Sequence, residues 1–135
     1  MKELIAMLKR HEGLMLKPYR CTAEKLTIGY GRNLEDRGIT EKEAEFLLIN
    51  DINDVRELLE TYILYFNEKP EMTQNVLINM GFQLGVGGLL KFRKMLKAIE
   101  KKDYQVAADE MLNSNWARQT PERAKELAKI MRKEV

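Results

Sequence analysis

The stretch His11-Glu12-Gly13-Leu14-Met15-Leu16-Lys17-Pro18-Tyr19-Arg20-Cys21-Thr22-Ala23-Glu24-Lys25-Leu26-Thr27-Ile28-Gly29-Tyr30-Gly31 changes its hydrophobic period part-way, and that change decides the fold. Before it, Leu4, Ile5 and Leu8 recur at spacings of three and four, so residues 2–12 read as an amphipathic helix stopped by Gly13. Within it, Tyr19 and Cys21, then Leu26, Ile28 and Tyr30, alternate with Arg20, Thr27 and Gly29. Alternation with period two is the signature of a half-buried strand. The segment therefore reads as a hairpin turning near Ala23-Glu24, with room for a short third strand before Asn33.

Working outward, Thr40-Glu41-Lys42-Glu43 has the spacing of a capping box. It opens a long helix whose stripe is Ala44, Leu47, Leu48, Ile52, Val55, Leu58 and Leu59. A break over Asn67–Pro70 precedes a helix marked by Val76, Leu77, Met80 and Leu84, which the glycines of Gly85-Val86-Gly87-Gly88 should end. Two helices follow at about 89–101 and 103–112, and Thr120-Pro121 starts a last one to about 133. The expected class is α+β. A small β-hairpin lobe, about 13–38, is joined by a long helix to a larger α-helical lobe, 1–12 with 39–135, in a single domain.

Composition narrows the function. The 44% hydrophobic and 33% charged content is that of a globular chain rather than a disordered or membrane-spanning one. A net charge of +2 is too small to imply nucleic acid as partner. The basic excess is local, at Lys91, Arg93, Lys94, Lys97, Lys101 and Lys102 and again between Arg118 and Lys133. Such runs are either solvated helix faces or an attraction to an acidic polymer. One cysteine cannot form an internal disulfide, and one Cys with one His makes no zinc site, so neither metal nor cofactor is expected. Lys2, Glu3, Lys9 and Arg10 interrupt any apolar leader, and no run approaches the ~20 apolar residues of a membrane span. A monomer that accumulates in the cytoplasm without membrane insertion is the expectation.

Three residues carry candidate chemistry. Leu4, Leu8 and Glu12 lie four apart and share one helix face, which sets a carboxyl at the end of an apolar stripe. Partial burial there and the negative end of the helix dipole favour the protonated form that a general acid uses. On the hairpin, a Thr27 hydroxyl can hold a water, Cys21 can act as base or nucleophile, and Gly29 and Gly31 leave room for a ligand. Arg20 is the one cation beside Cys21, which by itself leaves the thiol mostly protonated near neutral pH. Periodicity alone favours the plainer readings, a solvated Glu12 and Cys21 as a small buried hydrophobe.

The motifs decide between these readings. Glu12, eight residues, Cys21, five residues and Thr27 resembles the catalytic hairpin of the phage-type lysozymes, the T4-lysozyme-like endolysins. The similarity continues through Gly38-Ile39-Thr40, Ile78-Asn79-Met80-Gly81-Phe82-Gln83-Leu84-Gly85 and Trp116-Ala117-Arg118-Gln119-Thr120-Pro121-Glu122-Arg123-Ala124, and so touches the whole chain. The resemblance implies a muramidase that hydrolyses the β-1,4 bond between N-acetylmuramic acid and N-acetylglucosamine in bacterial peptidoglycan. It implies Glu12 as general acid, Cys21 and Thr27 presenting the attacking water, and Arg123 orienting Glu12. Phe82 and Gln83 would line the helical side of the binding cleft, with Trp116 packed beneath them and Asn33 offering an amide to sugar.

Two departures stand out. Cys21 occupies a position where the best-studied members carry Asp, and Asn33, Met95 and Glu110 do not match the family in type. A lytic transglycosylase, or a wall-binding module of the same fold, remains an alternative. The resemblance further implies a protein made in the host cytoplasm that reaches the wall through a holin-type pore.

Overall fold

The computed structural model describes residues 1–133. They form two compact units, the first running from Met1 to Leu47 and the second from Leu48 onward. The class is α+β, as expected.

The first unit opens with α1 (Lys2–Glu12), which ends where Gly13 takes φ 72° and returns its N–H to the Lys9 carbonyl at 3.0 Å. Three antiparallel strands follow in sequential order: β1 (Met15–Arg20), β2 (Leu26–Gly29) and β3 (Arg32–Asn33). Tyr19 pairs with Thr27, and Thr27 with Asn33 across its other edge, so Thr27 is the middle residue of the sheet. The register of β1 slips between Met15 and Tyr19. Pro18 lies in that interval and has no N–H to give a ladder, which confines it to an edge strand or a bulge. The β1–β2 turn closes with Glu24 at φ 62°, Glu24 N–H on the Cys21 carbonyl at 2.8 Å and Cys21 N–H on the Lys25 carbonyl at 3.0 Å.

A short helix, α2 (Leu34–Arg37), is capped by Asn33. Then α3 (Glu41–Tyr62) begins with the capping box read from the sequence: Thr40 N–H donates to Glu43 Oε1 at 2.8 Å and Glu43 N–H to Thr40 Oγ1 at 3.1 Å. Glu43 also receives both Arg32 guanidinium nitrogens, at 2.9 and 2.6 Å, which ties β3 to the start of α3. This two-point ion pair and the Thr40 amide hold the Glu43 carboxyl down at about 2.

The second unit is helical: α4 (Glu71–Leu84), α5 (Val86–Leu90), α6 (Arg93–Glu100), α7 (Tyr104–Leu112), α8 (Asn115–Gln119) and α9 (Pro121–Arg132), with a 3₁₀ turn at Phe66–Glu68 before α4. Its core gathers Leu59, Phe66, Leu77, Met80, Leu89, Met95, Met111 and Met131, all 2% exposed or less. Each such side chain contributes roughly 1.5–3 kcal/mol relative to exposure. Met95 is thus a core residue rather than a surface one. Gly81 lets α4 approach α3, since a Cβ there would lie 3.0 Å from Val55 Cγ1.

Three helical features depart from the periodic reading. The glycine run does not simply end a helix: Gly85, at φ 77°, stops α4, but Gly87 and Gly88 lie inside α5. Val86 and Leu89 are both buried, and that burial outweighs the poor helix propensity of glycine. The expected 89–101 helix is two, broken at Lys91-Phe92, and α8 lies between the last two expected helices. Both α2 and α8 are too short for a 3.6 period to show, and their signals were the caps: Asn33 accepting from Asp36 N–H, and Ser114 from Ala117 N–H. Among the described residues no helix is long and apolar enough to cross a membrane.

Candidate active site

In the first unit, α1 delivers Glu12 to the turn between β2 and β3. Gly31 there has φ 77°, and a Cβ built on it would stand 2.7 Å from Glu12 Oε2 and 3.1 Å from its carboxyl carbon. The space that the sequence reading left for a ligand at Gly31 is filled by the acid itself. Glycine is needed twice over, for the left-handed backbone and for the close approach. Lys9 adds a second tie, its Nζ lying 5.4 Å from the centroid of the Tyr30 ring. The carboxyl is exposed rather than partly buried, because α1 buries none of its side chains.

Thr27 is 3% exposed, and its hydroxyl donates to the Lys25 carbonyl at 2.8 Å. Cys21, partly exposed at the end of β1, sits against the same turn. Its thiol is held below the ordinary value by the backbone amide of Lys25 first, then by that of Ala23. A turn packed with N–H groups stabilises an anion without any full positive charge. This corrects the view that Arg20 alone would act on the thiol: Arg20 is engaged with Glu35 at 3.2 Å and with the Glu24 carbonyl at 3.2 Å. The amide donors were not legible as a list of nearby cations. Asn33 is used at both ends, its Oδ1 accepting from Asp36 N–H at 3.0 Å and its Nδ2 donating to Asp36 Oδ2 at 2.9 Å. A sugar contact there would compete with the cap of α2.

In the second unit, Arg123 near the start of α9 meets α4. Its Nε donates to Asn79 Oδ1 at 2.9 Å and its guanidinium to the Asn79 carbonyl at 3.3 Å, a bond across 44 residues of sequence. Phe82 is 43% exposed and lines a shallow pocket with Arg123, Asn79, Asn75 and Arg56 over a floor of Ile52 and Ile78. Gln83, one residue on, is held from below: the Trp116 indole N–H donates to its Oε1 at 2.8 Å, and Phe92 meets the Trp116 ring edge-on at 6.0 Å. Asn79, which carries Arg123, stood within the quoted motif without an assigned role. Among the described residues no group of three or more His, Cys, Asp and Glu side chains is gathered to hold a metal.

The sequence has relatives among known proteins. A family model described as phage lysozyme matches residues 9–134. The chain belongs to the phage lysozyme family. It is 30% identical to a probable T4-type lysozyme of Dictyostelium discoideum, with 93% of this chain and 91% of that protein aligned. It is 35% identical to an endolysin of Acyrthosiphon pisum secondary endosymbiont phage 1, over 80% of this chain and 74% of that one. The matched span covers Glu12, Cys21, Thr27, Phe82, Gln83 and Arg123, so this phage lysozyme family member carries every singled-out residue inside the family region.

Proposed function

We propose that the protein is a muramidase that hydrolyses the β-1,4 bond between N-acetylmuramic acid and N-acetylglucosamine in bacterial peptidoglycan. The observation that carries this reading is the Glu12 carboxyl set against the backbone of Gly31, in a turn of the small sheet that holds Thr27 and whose first strand ends next to Cys21. Glu12 gives its proton to the glycosidic oxygen as the bond to the anomeric carbon breaks. A water held by Thr27 and Cys21 attacks that carbon, and its proton passes to the sulfur. Lowering of the thiol by the Lys25 and Ala23 amides suits Cys21 to this acceptor role. Direct attack by sulfur would leave a thioglycoside that hydrolyses slowly, so the water route with inversion is favoured. Arg123 is braced by Asn79, and Phe82 and Gln83 contact the sugar chain.

Wall material of this kind lies outside the cytoplasmic membrane, so a host-made enzyme would reach it through a holin-type pore. Release of new reducing ends from purified walls tests the activity. Glu12→Gln keeps the shape and hydrogen bonding of the side chain but cannot supply a carboxylic proton, so the rate should fall by roughly 10² or more. Anhydro-sugar products in place of reducing ends would make the enzyme a transglycosylase. Undiminished hydrolysis by a folded Glu12→Gln protein would remove the acid from the mechanism.

A further inference from the structure

The second unit carries a groove that this chemistry does not use. It encloses about 690 Å³ between the segment joining α3 to α4 on one side and the α6–α7 pair on the other. Ile63, Leu96, Ile99 and Tyr104 line its apolar part, and Tyr62 and Tyr65 stand at its edge, 63% and 69% exposed. Lys69, Arg93, Lys97 and Lys102 also line it, against only Glu68 and Glu100. None of those four cations pairs with a carboxylate among the described residues.

The backbone is committed to this shape. Among the described residues three non-glycine positions have positive φ, and two of them, Tyr65 at 58° and Lys102 at 60°, line this groove. An aromatic side chain adopts that region rarely. Here the left-handed step at Tyr65 lets Phe66 enter the core, at 2% exposed, while Tyr65 stays outside. Such positions persist where the surrounding structure fixes them, and they gather at ligand sites.

We propose that this groove is a second wall-binding site, which takes a peptide-bearing amino-sugar unit of peptidoglycan and uses none of the residues assigned to bond cleavage. The proposal rests on the muramidase reading for its choice of polymer. Tyrosine rings at an open edge offer apolar faces to the C–H side of a sugar and hydroxyls to its polar side. Four cations suit the carboxylates of a peptide stem. The two glutamates distinguish that ligand from a uniform polyanion, because they repel polyphosphate yet accept N–H groups from acetamido or peptide units. The volume lies in the range of sites that enclose small ligands.

The test is a titration of the isotope-labelled full chain, followed by NMR, with a soluble disaccharide-tetrapeptide. Chitotetraose, inorganic polyphosphate and vesicles of phosphatidylcholine with phosphatidylglycerol are the comparison ligands. Saturable shifts at Tyr62, Tyr65, Arg93 and Lys97, stronger with the muropeptide than with chitotetraose, are expected. Tyr62→Ala with Tyr65→Ala, and separately Arg93→Ala with Lys97→Ala, should each weaken binding by about tenfold or more while the fold is retained. A stronger response to polyphosphate or to vesicles, or unchanged affinity in both double variants, overturns the proposal. If the protein releases reducing ends from walls while these residues stay silent, the groove proposal alone falls. If it does neither, the muramidase reading falls with it.

Discussion

Replacing Gly31 by alanine separates the cost to folding from the cost to catalysis, because a neighbouring glycine supplies the control. Gly29 and Gly31 have nearly the same backbone, φ 70° and 77°, so alanine meets a similar left-handed penalty at both. That penalty is roughly 1–2 kcal/mol, offset in part by the lower entropy of the unfolded chain, which leaves about 1 kcal/mol net. For a chain of 135 residues this lowers Tm by roughly 3–5 °C in either variant. Only at Gly31 does the new methyl group meet Glu12. It would lie 2.7 Å from Oε2, where ordinary contact begins at 3.4 Å, so the carboxyl must retreat by about 0.7 Å. A flexible side chain yields that distance with little loss of stability. Catalysis is less tolerant, since a misplacement of about 1 Å can cost ~10² in rate. The expectation is therefore equal melting temperatures, near-native reducing-end release by Gly29→Ala, and a fall of roughly tenfold to 10² in kcat/KM for Gly31→Ala. Equal activity of the two variants would refute the reasoning that Gly31 exists to seat the acid.

Three further outcomes are expected. The pH midpoint for alkylation of Cys21 by iodoacetamide should lie below that of a free cysteine thiol measured alongside; a native midpoint at or above the free thiol's would show that the turn amides do not act on the sulfur. Because the Glu43 carboxyl is lowered from 4.5 to about 2, its contribution is fully present above its unfolded value and is lost as pH falls through about 2. Tm measured across that window should then drop less in Glu43→Gln than in the native protein, and parallel curves would count against the Arg32 pairing. Thr73 is fully buried and its hydroxyl has no hydrogen-bond partner among the described residues, so the near-isosteric Thr73→Val should be neutral or stabilising by about 1 kcal/mol in denaturant titration. A clear loss of stability would reveal a bonded hydroxyl.

Much of this architecture is written in local pattern. The switch from a 3.6-residue to a two-residue period after Gly13 located the boundary between α1 and the sheet, and the Thr40–Glu43 box located the start of α3 to the residue. What the pattern missed was held by other forces. The helix through Gly87-Gly88 exists because Val86 and Leu89 are buried, which no window of sequence reports. The same holds for the site. The spacing of Glu12, Cys21 and Thr27 was visible, whereas the lowering of the Cys21 thiol comes from backbone N–H groups, and every residue except proline has one of those. Asn33 looked free to meet a sugar until the cap of α2 was seen to occupy its amide.

The bond between Arg123 and Asn79 has a consequence for the order in which a new chain becomes competent. The sheet that carries Glu12, Cys21 and Thr27 is a meander of neighbouring strands, so all its pairings lie within a short span and can form soon after that span leaves the ribosome. Asn79 emerges next, but its arginine follows 44 residues later, on the helix that also brings Ala124, Leu127, Ala128 and Met131 into the core. Until α9 has been synthesised, the helical unit holds an open apolar face and Asn79 lacks the Arg123 guanidinium. Completion of the helical unit thus waits for the last helix, and a chain cut short before Arg123 would leave Asn79 without its partner and the core of that unit unclosed.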